Sequence, residues 1–244
     1  MSDIIAELRD TFVHPFAGRD VNWLVDFRAE SRADHPFLIW EPFHGERLVW
    51  TYAAFRQRVL EVAAGLKARG IKAGDYVLVH LDNAPEFEFL WFACARLGAV
   101  VVTTNTRSAG PELEYFADNC NAAAAITQPE LASLVAAHAR RIKWMAVIDT
   151  MHDGAEPPAG LAPDAATSFS NLAGDPSELR TIAPDPWRPS SVQYTSGTTS
   201  RPKGVLWTHG NALWGARQTA GHQNLQATDI HHVMMPSFHT NART

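Results

Sequence analysis

Hydroxyl side chains are concentrated in one short stretch of the chain. Residues 195–200 read Thr-Ser-Gly-Thr-Thr-Ser, so five of six consecutive positions carry a hydroxyl group, and Lys203 follows shortly after. Hydroxyls donate hydrogen bonds, glycine lets backbone N–H groups approach a ligand closely, and lysine adds a positive charge. A polyphosphate requires these groups, so we interpret residues 195–203 as a candidate phosphate-binding loop.

Two widespread phosphate motifs do not match this stretch. A Walker loop that began at Gly197 would need glycine at the position of Pro202, and the sequence contains no G-x-G-x-x-G. On composition alone, an ordinary Ser/Thr-rich surface loop explains residues 195–200 equally well. The ordered combination with Pro202, Lys203 and Gly204 favours phosphate binding.

Residues 194–205 resemble the phosphate-binding signature of AMP-forming acyl-CoA synthetases, which are adenylate-forming enzymes. The resemblance extends from about residue 22 onward, and four further segments are similar to family motifs: residues 80–87, 97–100, 208–211 and 235–239. The sequences of residues 80–87 and of Ser200-Arg201 are most similar to those of the crotonobetaine/carnitine–CoA ligase branch. Many family members have glycine where this chain has Ser200.

This resemblance implies ATP-dependent activation of a carboxylic acid. The carboxylate attacks the α-phosphate of Mg-ATP to give an acyl-adenylate and pyrophosphate, and the thiol of CoA then displaces AMP. Lys203 would add charge near the phosphates, although a solvated lysine that shapes the loop is an equal alternative. His239 would be the catalytic-site residue at the carboxylate and acyl pocket, with a core histidine as the alternative. The residues implied to bind the β- and γ-phosphates are Thr195, Ser196, Gly197, Thr198, Thr199 and Ser200.

Family motifs that supply a ribose-binding Asp and a catalytic Lys follow the position of Thr244. The resemblance therefore implies that these 244 residues are an N-terminal part of a ligase, inactive alone. A non-catalytic nucleotide-binding or interaction fragment is the alternative. Transfer of the adenylate to a carrier-protein thiol, or an oxygenation step, is a third possibility, and the identity of the acid stays open.

The elements that must position these residues alternate between strand and helix, which is typical of an α/β fold with a mostly parallel sheet. Helical spacing predicts helices at residues 22–33, 51–70, 84–97, 110–119 and 129–141. We expect Asn22 to cap the first of these helices, and Pro85 and Gly98 to mark the start and the end of the third. Apolar runs predict strands at 37–40, 47–51, 75–81, 99–103, 123–127, 145–148 and 190–195. Residues 44–46 indicate that the first two strands form a hairpin. We expect helices on both faces, and the resemblance implies an adenylate-forming fold whose sheet is incomplete at the C-terminus.

Composition predicts three regions along the chain. Residues 1–149 form an N-terminal α/β subdomain, and residues 150–189 form a connection that contains seven prolines. Residues 190–244 begin a second subdomain with the phosphate-binding loop and the acyl-pocket segment.

Charge and composition exclude several classes of protein. The formal charge is −5 and 46% of residues are hydrophobic, which argues against a nucleic-acid binder and against a disordered chain. The most apolar stretch, residues 89–102, is shorter than the ~20 residues needed to span a bilayer. Two cysteines, Cys94 and Cys120, indicate a reduced, cytoplasmic setting, and both are expected to be buried apolar residues. The histidine spacing predicts no metal site. Oligomeric state cannot be inferred from the sequence.

Overall fold

The computed structural model describes residues 7, 9, 11–195 and 201–239. The helices, in chain order, are α1 (Val21–Ser31), α2 (Tyr52–Ala68), α3 (Pro85–Leu97), α4 (Gly110–Asn119), α5 (Pro129–His138) and α6 (His209–His222). The strands are β1 (Pro36–Trp40), β2 (Leu48–Thr51), β3 (Tyr76–His80), β4 (Val100–Thr103), β5 (Ala124–Thr127), β6 (Met145–Val147), β7 (Thr167–Ser168), β8 (Pro189–Thr195) and β9 (Lys203–Thr208). Short 3₁₀ helices lie at Phe169–Leu172 and Pro176–Glu178.

Within these ranges, seven strands form one sheet in the order β7-β6-β5-β3-β4-β8-β9. Neighbouring strands are parallel, except that β8 and β9 form an antiparallel hairpin. The separate antiparallel pair of β1 and β2 confirms the predicted hairpin. Because β4 and β5 lie on opposite sides of β3, the order of the strands reverses at β3, and ligands of α/β sheets bind beside such a reversal at the carboxyl ends of the strands.

Helices cover both faces of the sheet, as predicted. Val77 and Val79 of β3 pack in one apolar cluster with Leu90 of α3, whereas Leu78 packs in a second cluster with Leu113 of α4. This division follows from the strand, in which successive side chains point to opposite faces. The α3 face carries buried residues of α1, α2, α3 and α6, and the α4 face carries those of α4 and α5.

Local sequence signals set the bounds of the central helices. The Oγ1 atom of Thr51 accepts a hydrogen bond from the amide of Ala54 and so caps α2. Pro85 occupies the first turn of α3, and Gly98 ends that helix with a φ of +70°, a left-handed conformation that favours glycine. Strand β4 begins two residues later, so a tight connection brings the chain back to the sheet beside β3.

Several predicted helix bounds differ from the structure by one to three residues. Asp20, and not Asn22, caps α1, because its Oδ1 accepts the amide of Trp23 at 2.8 Å. The side chain of Asn22 instead donates to the carbonyl of Ala95 at 3.0 Å. Helix α5 ends at His138, three residues before the predicted end at residue 141.

The proline-rich segment 150–189 packs closely on the sheet. It contributes β7 to the sheet edge, and Phe169 and Leu172 are buried in the α3-face cluster. A Cβ atom at Gly65 would lie 1.2 Å from the carbonyl oxygen of Leu172, so α2 needs glycine at this contact. Strand β8, which begins at the last residue of the segment, pairs with β4 in the same sheet. The three-region division stays a prediction.

Candidate active site

Polar residues collect at the carboxyl edge of the parallel strands, where a ligand is expected. Asp82 follows β3, Thr104 follows β4 and Gln128 follows β5. The Oδ2 atom of Asp82 accepts from Gln128 at 3.0 Å, and Gln128 in turn accepts the amide of Asp82 at 2.7 Å. Thr106 donates to the other carboxylate oxygen of Asp82 at 2.6 Å. These bonds hold the turns after three strands in one rigid network.

The two ends of the candidate phosphate-binding loop meet at this edge. Thr195 ends β8 and Lys203 begins β9, and the two residues are paired in the antiparallel register. Both are exposed, and the Oγ1 atom of Thr195 lies 3.4 Å from the carbonyl oxygen of Lys203. The remaining predicted phosphate-binding residues lie outside the described residues: Ser196, Gly197, Thr198, Thr199 and Ser200.

Helix α4 anchors the loop end of the β8–β9 hairpin. The hydroxyl of Tyr194 donates to the side-chain oxygen of Asn119 at 2.8 Å, and its ring stacks on Phe116 with centroids 4.3 Å apart. The hydroxyl of Tyr115 donates to the carbonyl of Pro202 at 3.0 Å, and the guanidinium of Arg201 lies over the Tyr115 ring. Both ends of the loop are therefore held to the α4 face.

Residues 235–239 lie at the same edge, over the α3 face. Phe238 packs against the α3-face cluster, and its carbonyl accepts a hydrogen bond from Thr103 at the end of β4. The side chain of Asn83 contacts the backbone of Met235 and Ser237. His239 follows directly, and its amide donates to the carbonyl of Pro236 at 2.9 Å. Its predicted role at the acid pocket stays a prediction.

A buried histidine lies at the same edge of the sheet. His80, the last residue of β3, is fully buried, and one ring nitrogen is 2.8 Å from the hydroxyl of Thr104. Its Nε2 atom contacts no hydrogen-bonding group among the described residues. Burial lowers the pKa of His80 to about 4, and the charge of Asp82 opposes this shift only in part. His80 is therefore neutral at pH 7.

The cysteines have no reactive character. Cys94 is fully buried, as predicted, and Cys120 is partly buried. Burial raises the pKa of each thiol to about 12, so neither forms a thiolate at neutral pH.

Two further properties concern metals and membranes. Across residues 7, 9, 11–195 and 201–239, no group of three or more His, Cys, Asp or Glu side chains is arranged to hold a metal ion. In the same part of the chain, every helix is too short or too polar to cross a bilayer.

Sequence reasoning did not identify the residues that hold the two candidate segments. Asn83, Thr103 and Tyr115 contact residues more than 85 positions away. Asn83 lies in the family-like segment 80–87, and Thr103 is a polar residue at the end of an apolar strand. Polar residues at strand ends were the available signal, whereas nothing in the sequence of α4 singled out Tyr115.

The fold and this edge define an α/β protein with a parallel sheet, helices on both faces and a hydroxyl-rich hairpin loop at the carboxyl edge. The model of the AMP-binding enzyme family matches residues 25–244, so the chain belongs to that family. The resemblance seen in the sequence is thereby confirmed.

Known proteins agree with this assignment. The chain is 30% identical over 232 residues to crotonobetaine/carnitine–CoA ligase of Salmonella paratyphi A, covering 93% of this chain. The apo structure of MbtA from Mycobacterium smegmatis superposes with a TM-score of 0.79 at 26% identity, covering 98% of this chain and 42% of that protein. Acetoacetyl-CoA synthetase from Streptomyces lividans shares the fold, with a TM-score of 0.78 at 22% identity over 91% of this chain and 36% of that protein.

The chain spans about 43% of the length of the curated relative. Its fold is that of the N-terminal domain of adenylate-forming enzymes, which confirms the predicted fold class.

Proposed function

We propose that this protein activates a carboxylic acid with ATP and transfers the acyl group to CoA, as an AMP-forming carboxylate–CoA ligase. Residues 195–203 bind the β- and γ-phosphates, and residues 235–239 border the acid. One observation carries this proposal: the hydroxyl-rich loop begins and ends at the carboxyl edge of the sheet, the same edge at which Thr103 and Asn83 bind residues 235–238.

Two chemical steps make an unreactive acid reactive. A carboxylate resists nucleophiles because of its charge and because oxide is a poor leaving group. Attack of its oxygen on the α-phosphorus of Mg-ATP releases pyrophosphate and forms an acyl-adenylate, from which the CoA thiolate then displaces AMP. Phosphoryl transfer depends on positioning and charge neutralisation, which hydroxyls, backbone N–H groups and Lys203 supply.

Crotonobetaine and carnitine are the first acids to test, because the curated relative carries these names. Short-chain and fatty acids complete the panel. ATP and CoA are cytoplasmic metabolites, so we place the reaction in the cytoplasm.

ATP–pyrophosphate exchange tests the proposal. The assay uses the chain continued through the remaining length of its curated relatives, with labelled pyrophosphate and each acid in turn. We expect label to enter ATP only when a suitable acid is present. Acid-free reactions are the control, and no exchange with any acid in the panel would contradict the proposal.

A further inference from the structure

We propose that Asn83 and Thr103 are positioning residues for the acid: they fix the backbone of residues 235–238 on the sheet edge and so place His239 beside the carboxylate. This inference rests on the proposed function. It concerns how the acid is held, and it assigns no part in ATP binding to either residue.

Asn83 makes two different hydrogen bonds to this backbone. Its Nδ2 atom donates to the carbonyl of Met235 at 2.9 Å, and its Oδ1 atom accepts from the amide of Ser237 at 2.6 Å. A side-chain amide carries a donor and an acceptor on the same carbon atom, so it can bind a backbone carbonyl and a backbone amide together. Asn83 therefore holds both sides of residue 236 at one fixed distance from the end of β3.

Thr103 adds a third bond on the next residue. Its Oγ1 atom donates to the carbonyl of Phe238 at 3.0 Å, and Thr103 is 1% exposed at the end of β4. A buried strand residue has little freedom to move, so this contact fixes Phe238, and with it the direction in which the chain enters His239. Thr103 ends β4, and Asn83 lies in the turn after the adjacent parallel strand β3.

Side-chain packing alone cannot hold this part of the chain. Val233, Met234 and Met235 are 42%, 80% and 49% exposed, so they bury little apolar area. Burial resumes at Ser237, which is 7% exposed, and at Phe238. The hydrogen bonds therefore act where the chain passes from exposed to buried residues. They fix the position of residues 235–238 along the sheet edge.

The support beneath Asn83 is rigid. Asp82, the preceding residue, is bound through both carboxylate oxygens and its amide to Gln128 and Thr106. A side chain positions a ligand-binding segment well only when its own support is fixed. Asn83 meets this requirement because the turn after β3 is tied to β5 and to the loop after β4.

Kinetics of Asn83→Ala and Thr103→Val test the inference in the exchange assay. Loss of two hydrogen bonds should raise the KM for the acid about 10-fold, while the KM for ATP stays within about 2-fold. Thr103→Val keeps the shape of the side chain and should raise the acid KM about 3-fold. Ser190→Ala is the matched control, because it removes a hydroxyl-to-carbonyl bond to Trp207 at the opposite end of β8.

Hydrogen–deuterium exchange of the same protein that is used in the kinetic assay gives a readout that does not depend on activity. The Ser237 amide should exchange faster in Asn83→Ala than in the parent chain, and Ser190→Ala should leave its rate unchanged. An unchanged Ser237 rate, or an equal rise in the KM for acid and for ATP, would overturn the inference. Absence of ATP–pyrophosphate exchange in the parent enzyme would instead contradict the proposed function itself.

Discussion

The β8–β9 hairpin and residues 235–239 reach the same sheet edge but are held there in different ways. The hairpin is attached to the α4 face by aromatic packing, with Tyr194 stacked on Phe116, as well as by hydrogen bonds. Residues 235–238 are attached above the α3 face mainly by the polar side chains of Asn83 and Thr103. We therefore expect the loop end of the hairpin, which packs on the α4-face cluster, to contribute more to the free energy of unfolding than the attachment of residues 235–238.

The largest expected effect is a loss of stability at acidic pH, arising on both faces. Burial lowers the pKa of His80 on the α4 face and of His209 beside α1 to about 4, from an ordinary 6.5. Below pH 6.5 the unfolded chain binds protons that the folded chain does not accept until about pH 4. The free energy of unfolding therefore has its maximum contribution from these histidines above pH 6.5. It falls by roughly 3 kcal/mol per histidine as the pH drops to 4.

Urea denaturation at pH 7 and pH 4 checks this expectation. His80→Leu and His209→Leu should each remove roughly 3 kcal/mol of the pH-dependent loss. At pH 7, His80→Leu alone should cost about 1 kcal/mol through its lost bond to Thr104. The exposed His231 provides the control variant His231→Leu. Identical pH dependence in all four proteins would show that neither buried histidine stays neutral.

The next prediction compares how much the two attachments contribute to the free energy of unfolding. Tyr194→Ala removes a ring stacked on Phe116 and should lower the free energy of unfolding by about 2–3 kcal/mol at pH 7. Asn83→Ala removes only polar contacts at a partly exposed site and should cost about 1 kcal/mol or less. Chemical denaturation followed by circular dichroism measures both.

Tyr194→Phe refines this comparison because it keeps the ring and removes the hydroxyl. Its cost should be about 1 kcal/mol, from the lost bond to Asn119. If Tyr194→Ala lowered the free energy of unfolding no more than Asn83→Ala, the loop end of the hairpin would not belong to the core.

Sequence reasoning predicted the elements well where local signals act alone. Pro85 and Gly98 bound α3 as expected, because a proline in the first turn and a left-handed glycine act within a few residues. Strand β7 was missed, because two residues have no periodicity and lie in a proline-rich stretch. The cap of α1 was misassigned because Asp20 and Asn22 both have capping side chains, and only tertiary packing gives Asn22 its partner on Ala95.

The candidate site shows the same limit. Residues 195–203 and 235–239 were identified by their own residue types, but their supports were not. Which strand ends are neighbours depends on the order β5-β3-β4-β8, and that order follows from long-range packing. Asn83 and Tyr115 acquire their partners only through this order, so no local pattern could have selected them.

The smallest expected effect tests whether the two attachments serve different ligands. Tyr115→Phe removes the bond to the carbonyl of Pro202 and keeps the ring beneath Arg201. Because Pro202 lies within the loop proposed to bind the phosphates, the KM for ATP should rise about 3–5-fold, with the KM for acid unchanged. This pattern is the reverse of that expected for Asn83→Ala, so exchange kinetics with both variants form a cross-over design. A shift of acid KM in Tyr115→Phe would mean that the hairpin and residues 235–239 act as one unit, and the two-attachment account would then be wrong.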